Sequence, residues 1–227
     1  HLDKGDYTAE EYEGCIIELQ RVNRWLGDAQ ALKNSLLSEI ERMNLATFSV
    51  IDVGAGSGEL LRVIAEWARV RKLKAQLTGV ELNPRSAKAI ADESQAFAEI
   101  SALRGDAFQL PFADDTFDYA ICSLFTHHFK DDSVVKLLRE LSRVAARRIC
   151  VIDLHRHPVA YYFFTTIGRL FLHNRLIRED GALSIRRSFE PNELAILARV
   201  AGLEEIQVTR HFPYRLVLAA KPAAKKC

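Results

Sequence analysis

The chain has 227 residues, with 31 Lys and Arg against 30 Asp and Glu, and 48% of it is hydrophobic. That length carries one sizeable α/β core that needs no disulfide or metal to hold it. A formal net charge of +1 excludes a global electrostatic pull toward nucleic acid or anionic lipid.

The cysteines Cys15, Cys122, Cys150 and Cys227 form no Cys-x-x-Cys pair. They read as reduced thiols of a cytoplasmic protein. No run approaches the ~20 apolar residues of a bilayer span, so no integral membrane segment is expected.

Residues 9–26 place Tyr12, Ile16, Leu19 and Val22 at helical spacing, and Gly27-Asp28 then offers a break and an N-cap. A second helix carries Leu32, Leu36, Leu37, Ile40 and Met43 on one face. The run Val50-Ile51-Asp52-Val53-Gly54-Ala55-Gly56-Ser57-Gly58-Glu59 reads as a strand, a tight turn and a helix start. Alternating glycines there permit positive φ and close approach of a ligand, and the first N–H groups of the helix attract negative charge. A dinucleotide fingerprint would put its third glycine at 59, which is Glu. Asp52 would repel a pyrophosphate but suits a ligand carrying an ammonium or sulfonium group.

Asp52-Val53-Gly54-Ala55-Gly56-Ser57-Gly58 resembles motif I of the class I S-adenosylmethionine-dependent methyltransferases. The resemblance implies a Rossmann-like, seven-stranded, mostly parallel sheet with an antiparallel last strand, helices on both faces and an N-terminal helical cap. It also implies S-adenosylmethionine as donor and S-adenosylhomocysteine as product.

A helix carrying Leu60, Val63, Ile64, Trp67 and Ala68 follows the turn, and then a second strand, Gln76 to Leu82, contains Glu81. βαβ geometry brings that strand end beside the glycine turn, where a carboxylate can accept both hydroxyls of a ribose. Asn83-Pro84 starts the next helix. Gly79-Val80-Glu81-Leu82-Asn83 resembles the family's second motif, which implies ribose binding by Glu81 with Leu82 against the adenine.

A short strand with Ile100, Ala102 and Leu103 leads to Gly105-Asp106-Ala107. The resemblance implies that Asp106 accepts from the adenine amine while the backbone of Ala107 meets a ring nitrogen. Leu110 to Asp118 is similar to the small-molecule members, the quinone and sterol methyltransferases among them.

Strand four, Tyr119 to Phe125, runs into Thr126-His127-His128. At the carboxyl end of a parallel strand beside the switch point, side chains face the ligand crevice. Ser123 and Leu124 therefore complete the expected cofactor set of Asp52, Gly54, Ala55, Gly56, Ser57, Gly58, Glu81, Leu82, Asn83, Asp106 and Ala107. His127 and His128 are the candidate bases, with one of the two expected to point into the crevice, because histidine titrates near neutrality.

A helix capped by Asp131-Asp132-Ser133 precedes strand five, Ile149 to Leu154, and His155 and His157 follow it. No carboxylate-rich cluster accompanies these two, so no metal is expected. Val159 to Phe171 is aromatic and reads as a lid over a lipophilic acceptor or as a core-packed helix. A last helix from Phe189 to Gly202 and two strands joined around Pro213 close the chain.

The expected organisation is one domain over 1–227: a helical cap (1–46), a cofactor core (48–155), a lid (156–190) and a closing helix and hairpin (191–221). The expected activity is methyl transfer (EC 2.1.1.-) to an oxygen or carbon of a small acceptor. Neither nucleic acid nor membrane is expected as a partner, and a homodimer is left open. A macromolecular acceptor and a non-catalytic binding module are the alternatives.

Overall fold

The computed structural model describes residues 27–166 and 175–223, and of residues 175–180 the backbone alone. The helix expected over 9–26 and the end of the aromatic stretch beyond Thr166 lie outside the described residues.

Helix α1 covers residues 28–42 and contains a π-helical turn at Lys33–Leu37. At that turn Ser35 Oγ donates back to the Ala31 carbonyl at 2.6 Å and Ser38 Oγ to the Lys33 carbonyl at 2.8 Å. Both hydroxyls bond back to carbonyls of their own helix, as serine does within helices. Gly27 occupies the N-cap in the left-handed region, without a side-chain cap. Asp28 is instead turned inward to a buried pair with Arg215. Met43, expected on the apolar face, is exposed because it follows the last helical turn.

Strand β1 (Thr47–Val53) leads through the glycine turn into α2 (Glu59–Val70). Next come β2 (Lys74–Glu81), α3 (Pro84–Glu93), β3 (Ile100–Arg104) and β4 (Phe117–Ser123). A 3-10 turn (Thr126–His128) leads to α4 (Asp131–Val144) and β5 (Ala145–Leu154). The chain finishes with α5 (Pro158–Thr165), α6 (Arg175–Arg187), α7 (Pro191–Val200), β6 (Glu204–His211) and β7 (Arg215–Lys221).

Local chemistry fixes several helix starts. The Asn83 side chain accepts from the Arg85 N–H, with Pro84 at the first helical position. Glu190 and Glu193 form a reciprocal capping box at α7. At α4 the N-cap is Lys130 rather than the acids, and Asp131 and Asp132 sit in the first turn, where the helix dipole favours negative charge. Strand β5 begins at Ala145, earlier than the apolar pattern suggests, because α4 runs into it without a loop.

The seven strands form one sheet in the order β3-β2-β1-β4-β5-β7-β6. β1 to β5 are parallel, and β7 is antiparallel to both β5 and β6. One face packs Val50, Ile121, Ile152 and Val217 against Leu32, Leu36, Leu61 and Ile64 of α1 and α2. The other packs Ile51, Val53, Val151 and Leu218 against Leu137, Leu141, Leu194 and Leu197 of α4 and α7. Each such side chain, fully buried, contributes about 1.5–3 kcal/mol. The chain runs outward from β1 through β2 to β3 and then crosses back to β4 on the other side of β1, so the switch point lies between β1 and β4, where such sheets open a crevice.

Candidate active site

At the carboxyl end of β1 the chain turns through Gly54, Gly56 and Gly58 with φ of 74°, 59° and 80°. These are left-handed values that glycine adopts at little cost. The Gly54 and Ala55 N–H groups both donate to the Val80 carbonyl, at 2.9 and 3.3 Å, which stitches the turn to β2. The Ser57 carbonyl accepts from Arg62 Nη1 at 2.6 Å.

A Cβ on Gly54 would come within 2.8 Å of Phe125 Cγ, whereas a Cβ on Gly56 would meet nothing within 4 Å. Gly54 is therefore a packing requirement of the fold. Gly56 opens its backbone to space.

Asp52 lies beneath this turn, buried, and its Oδ1 has no hydrogen-bond partner. Burial, with the Glu81 charge second, pushes its carboxyl up to about 8. The folded chain thus holds a proton that an unfolded Asp, near ~3.9, has released. Stability of the ligand-free protein should fall as pH rises from about 4 to about 8 and level off above. Asp52→Asn should flatten that slope, as denaturant titrations at pH 5 and pH 8 would show.

Glu81 closes β2, and one of its oxygens accepts from the Gly56 N–H at 2.8 Å. Burial raises its pKa, opposed by the N–H groups of Gly56, Asn83 and Leu82. Leu82 is 64% exposed, and Asn83 caps α3.

Across the next strand pair, the Gly105 N–H donates to the Glu81 carbonyl at 3.0 Å, which sets the β3 exit beside the β2 exit. Asp106 is exposed and accepts from the Phe108 N–H at 2.9 Å, while Ala107 is buried. The Phe108 ring meets Phe129 edge-on at 5.1 Å, and Phe129 meets Phe125 at 4.8 Å. These rings form a wall from the Asp106 turn to Gly54.

At the exit of β4, Ser123 is half-buried, and Leu124 takes a φ of 50° with its N–H on the Ile152 carbonyl at 2.8 Å. A branched side chain in that region costs about 1–2 kcal/mol. Thr126 and His127 then fold onto Asp153, a fully buried acid of β5. Asp153 Oδ2 accepts the Thr126 hydroxyl and, at 3.1 Å, the His127 N–H. Oδ1 faces His127 Nδ1 at 2.6 Å and accepts the Leu154 N–H at 2.7 Å.

Burial alone would raise the Asp153 carboxyl, but the neighbouring His127 and the hydrogen bonds it receives hold it below the usual range. A carboxylate accepts only, so Nδ1 is the ring nitrogen that donates, and in the neutral imidazole Nε2 is the one that carries the lone pair. His128 is exposed, its ring 4.2 Å from that of His127.

Two features went unread in the sequence. Asp153 looked like one more strand residue, and an acid inside the apolar run Ile149 to Leu154 was the signal available. Thr126 gave none. His155 and His157 stack toward Tyr214, and His157 Nδ1 caps α5 by accepting the Val159 N–H at 3.2 Å.

The residues present fit an adenosyl sulfonium. Asp52 offers an unpartnered acceptor below the turn, Gly56 leaves room above it, and Glu81 and Asp106 close the neighbouring strands.

Comparison with known proteins bears on the same stretch. The profile of a family described as a methyltransferase domain matches residues 50–148. The chain is 26% identical over 197 residues to a ubiquinone/menaquinone biosynthesis C-methyltransferase UbiE of Rickettsia massiliae, covering 80% of this chain and 77% of that protein.

A solved SAM-dependent methyltransferase from Aquifex aeolicus superposes with a TM-score of 0.60 at 15% identity, covering 88% of this chain and 96% of that one. Magnesium protoporphyrin IX methyltransferase from Synechocystis PCC 6803, solved with bound SAH, gives 0.60 at 18% identity, covering 86% and 83%. Sequence similarity over the strands that carry the glycine turn and structural likeness over most of the chain point the same way: residues 50–148 are similar to a methyltransferase domain, and the fold is that of solved SAM-dependent methyltransferases.

Proposed function

We propose that this methyltransferase acts on an oxygen or carbon of a small aromatic or lipophilic acceptor, with His127 as the base that removes the acceptor proton. The observation that carries the reading is the His127–Asp153 pair at the exit of β4. A phenol, enol or acidic carbon attacks poorly while protonated, and a positioned imidazole supplies what it lacks. His127 meets that need with Nδ1 tied to a buried carboxylate, so that Nε2 is the acceptor. His128, exposed on the same 3-10 turn, is assigned to the surface of that loop.

The donor, when bound, supplies an electrophilic methyl carbon and a neutral thioether leaving group. In this reading Asp52, Gly54, Ala55, Gly56, Ser57 and Gly58 hold its amino-acid end, and Glu81, Leu82, Asn83, Asp106 and Ala107 hold the nucleoside. Ser123 and Leu124 line the side toward the acceptor. The wall of Phe108, Phe125 and Phe129 keeps water from the reacting atoms. The UbiE relative is named for quinone biosynthesis and the Synechocystis neighbour for a porphyrin, and both names support a small, largely apolar acceptor.

Residues 156–190 are assigned to a lid. Tyr162 and Phe163 of α5 are exposed, and Ala160 is the buried residue of that helix. This suits a surface kept for an apolar ligand better than a core-packed helix. Residues 1–46 are assigned to a cap, and 191–221 to the closing helix and hairpin of the same domain. Transfer of labelled methyl from S-adenosylmethionine to a panel of phenols, quinones and bulk RNA tests the acceptor class. Label in RNA alone would overturn it.

The glycine turn gives a second test. Gly56→Ala places a methyl where nothing lies within 4 Å, so the fold should lose only about 1 kcal/mol from the left-handed backbone. Affinity for S-adenosylhomocysteine should nevertheless fall tenfold or more. Gly54→Ala should lower both affinity and melting temperature, because its Cβ meets the Phe125 ring. Calorimetric titration beside thermal melts separates the two variants.

A further inference from the structure

Arg215, the first residue of β7, is 1% exposed, and its Nη2 has no hydrogen-bond partner among the described residues. Its Nε donates to Asp28 at the start of α1. The position is set by the sheet: Arg215 pairs with Leu154 and the next residue, Leu216, pairs with Asp153. A guanidinium with an idle N–H therefore sits one residue pair from the acid that holds His127, on the α1 face of the sheet and at the carboxyl edge of the parallel strands.

A buried charge is retained when it is paired, and an idle buried donor costs the fold its desolvation. Asp28 engages Arg215 through Nε and leaves Nη2 idle. Burial, against the pull of Arg215, raises the Asp28 carboxyl, and Asp153 and Glu59 add to the rise. Asp153 cannot serve Arg215, because its two oxygens already face Thr126, His127 and Leu154. The surroundings on the far side add positive charge: Arg210 lies close enough to His155 to depress its pKa after burial has done so. An N–H left unused at a buried guanidinium, with a further arginine close by, describes a receptor for an anionic, planar group.

We propose that Arg215 receives a carboxylate brought by one of the two small molecules of the reaction, either the amino-acid end of the donor or an acid group on the acceptor. The proposal rests on the reading of this edge as the active site, and it concerns recognition rather than the proton transfer assigned to His127.

Arg215→Lys keeps a cation for Asp28 and removes the idle fork. Asp28→Asn keeps the fork and serves as control. Calorimetry with S-adenosylhomocysteine and with 5′-methylthioadenosine, which lacks the amino-acid end, reads the donor arm. The melting shift that millimolar benzoate produces on the S-adenosylhomocysteine complex reads the acceptor arm.

If the carboxylate is the donor's, Arg215→Lys loses about tenfold for S-adenosylhomocysteine and nothing for 5′-methylthioadenosine. If it is the acceptor's, both nucleosides bind as before and the benzoate shift disappears. Equal loss for both nucleosides with a lowered melting temperature would show a structural role and overturn the proposal. So would no change in either arm. Neither result touches the turnover of His127 variants, so a failure here is distinguishable from a failure of the assigned base.

Discussion

His127→Ala should lower methyl-transfer turnover about 100-fold, in the range ~10²–10⁴ typical of a removed general base, with affinity for S-adenosylhomocysteine changed less than threefold. The reason is geometric. His127 is buried with its Nδ1 fixed by a buried carboxylate, whereas His128 is exposed, and a fixed imidazole presents Nε2 in one direction. His128→Ala should leave turnover within a few-fold. Steady-state kinetics on both variants, with donor affinity measured separately, check this, and equal small effects in the two would remove the base from His127.

Asp153→Ala should be the most destabilising single change at the site. It strips the partner from the Thr126 hydroxyl, the His127 N–H and imidazole, and the Leu154 N–H, all in a buried setting. Removing one member of a buried pair costs roughly 3–5 kcal/mol, and for a chain of this size each kcal/mol moves the melting temperature by about 2–4 °C. A fall of about 6–20 °C is expected.

The pH dependence has a definite sign. The folded pKa of Asp153 is depressed, so its contribution is present above the unfolded carboxylate value of ~3.9 and is lost as pH falls through the lower folded value. The gap between wild type and variant should therefore close in acid and persist at neutrality. Asp153→Asn keeps the volume but offers His127 Nδ1 an amide, so turnover should fall with a smaller loss of stability.

The parts of this enzyme that the sequence displays are those built from neighbouring residues. The glycine turn, its acid at 52 and the strand-end acids at 81 and 106 stand in short motifs whose backbone consequences are local, and each lies where the pattern places it. Strand order follows from the same cues, since apolar runs alternating with helical periods build a parallel sheet.

What escaped is long-range pairing. Asp153 meets Thr126 and His127 across 27 and 26 positions, and Asp28 meets Arg215 across 187. No spacing rule connects residues so far apart, and burial of a charge is invisible until the strands are side by side. The π-helical turn in α1 was unreadable for a related reason, because it depends on two serine hydroxyls choosing carbonyls within the helix.

The choice between the two histidines was equally a tertiary matter. Adjacent residues on a 3-10 turn point in different directions, and the sequence gives no indication of which direction holds Asp153.

The account turns on the donor lying against the glycine turn with Glu81 on its ribose, and titration of S-adenosylhomocysteine into wild type and Glu81→Ala reads this most directly. Wild type should bind one equivalent, and the variant should lose tenfold or more while still melting cooperatively. Absence of binding to wild type at millimolar ligand, or equal affinity in the two proteins, would contradict it.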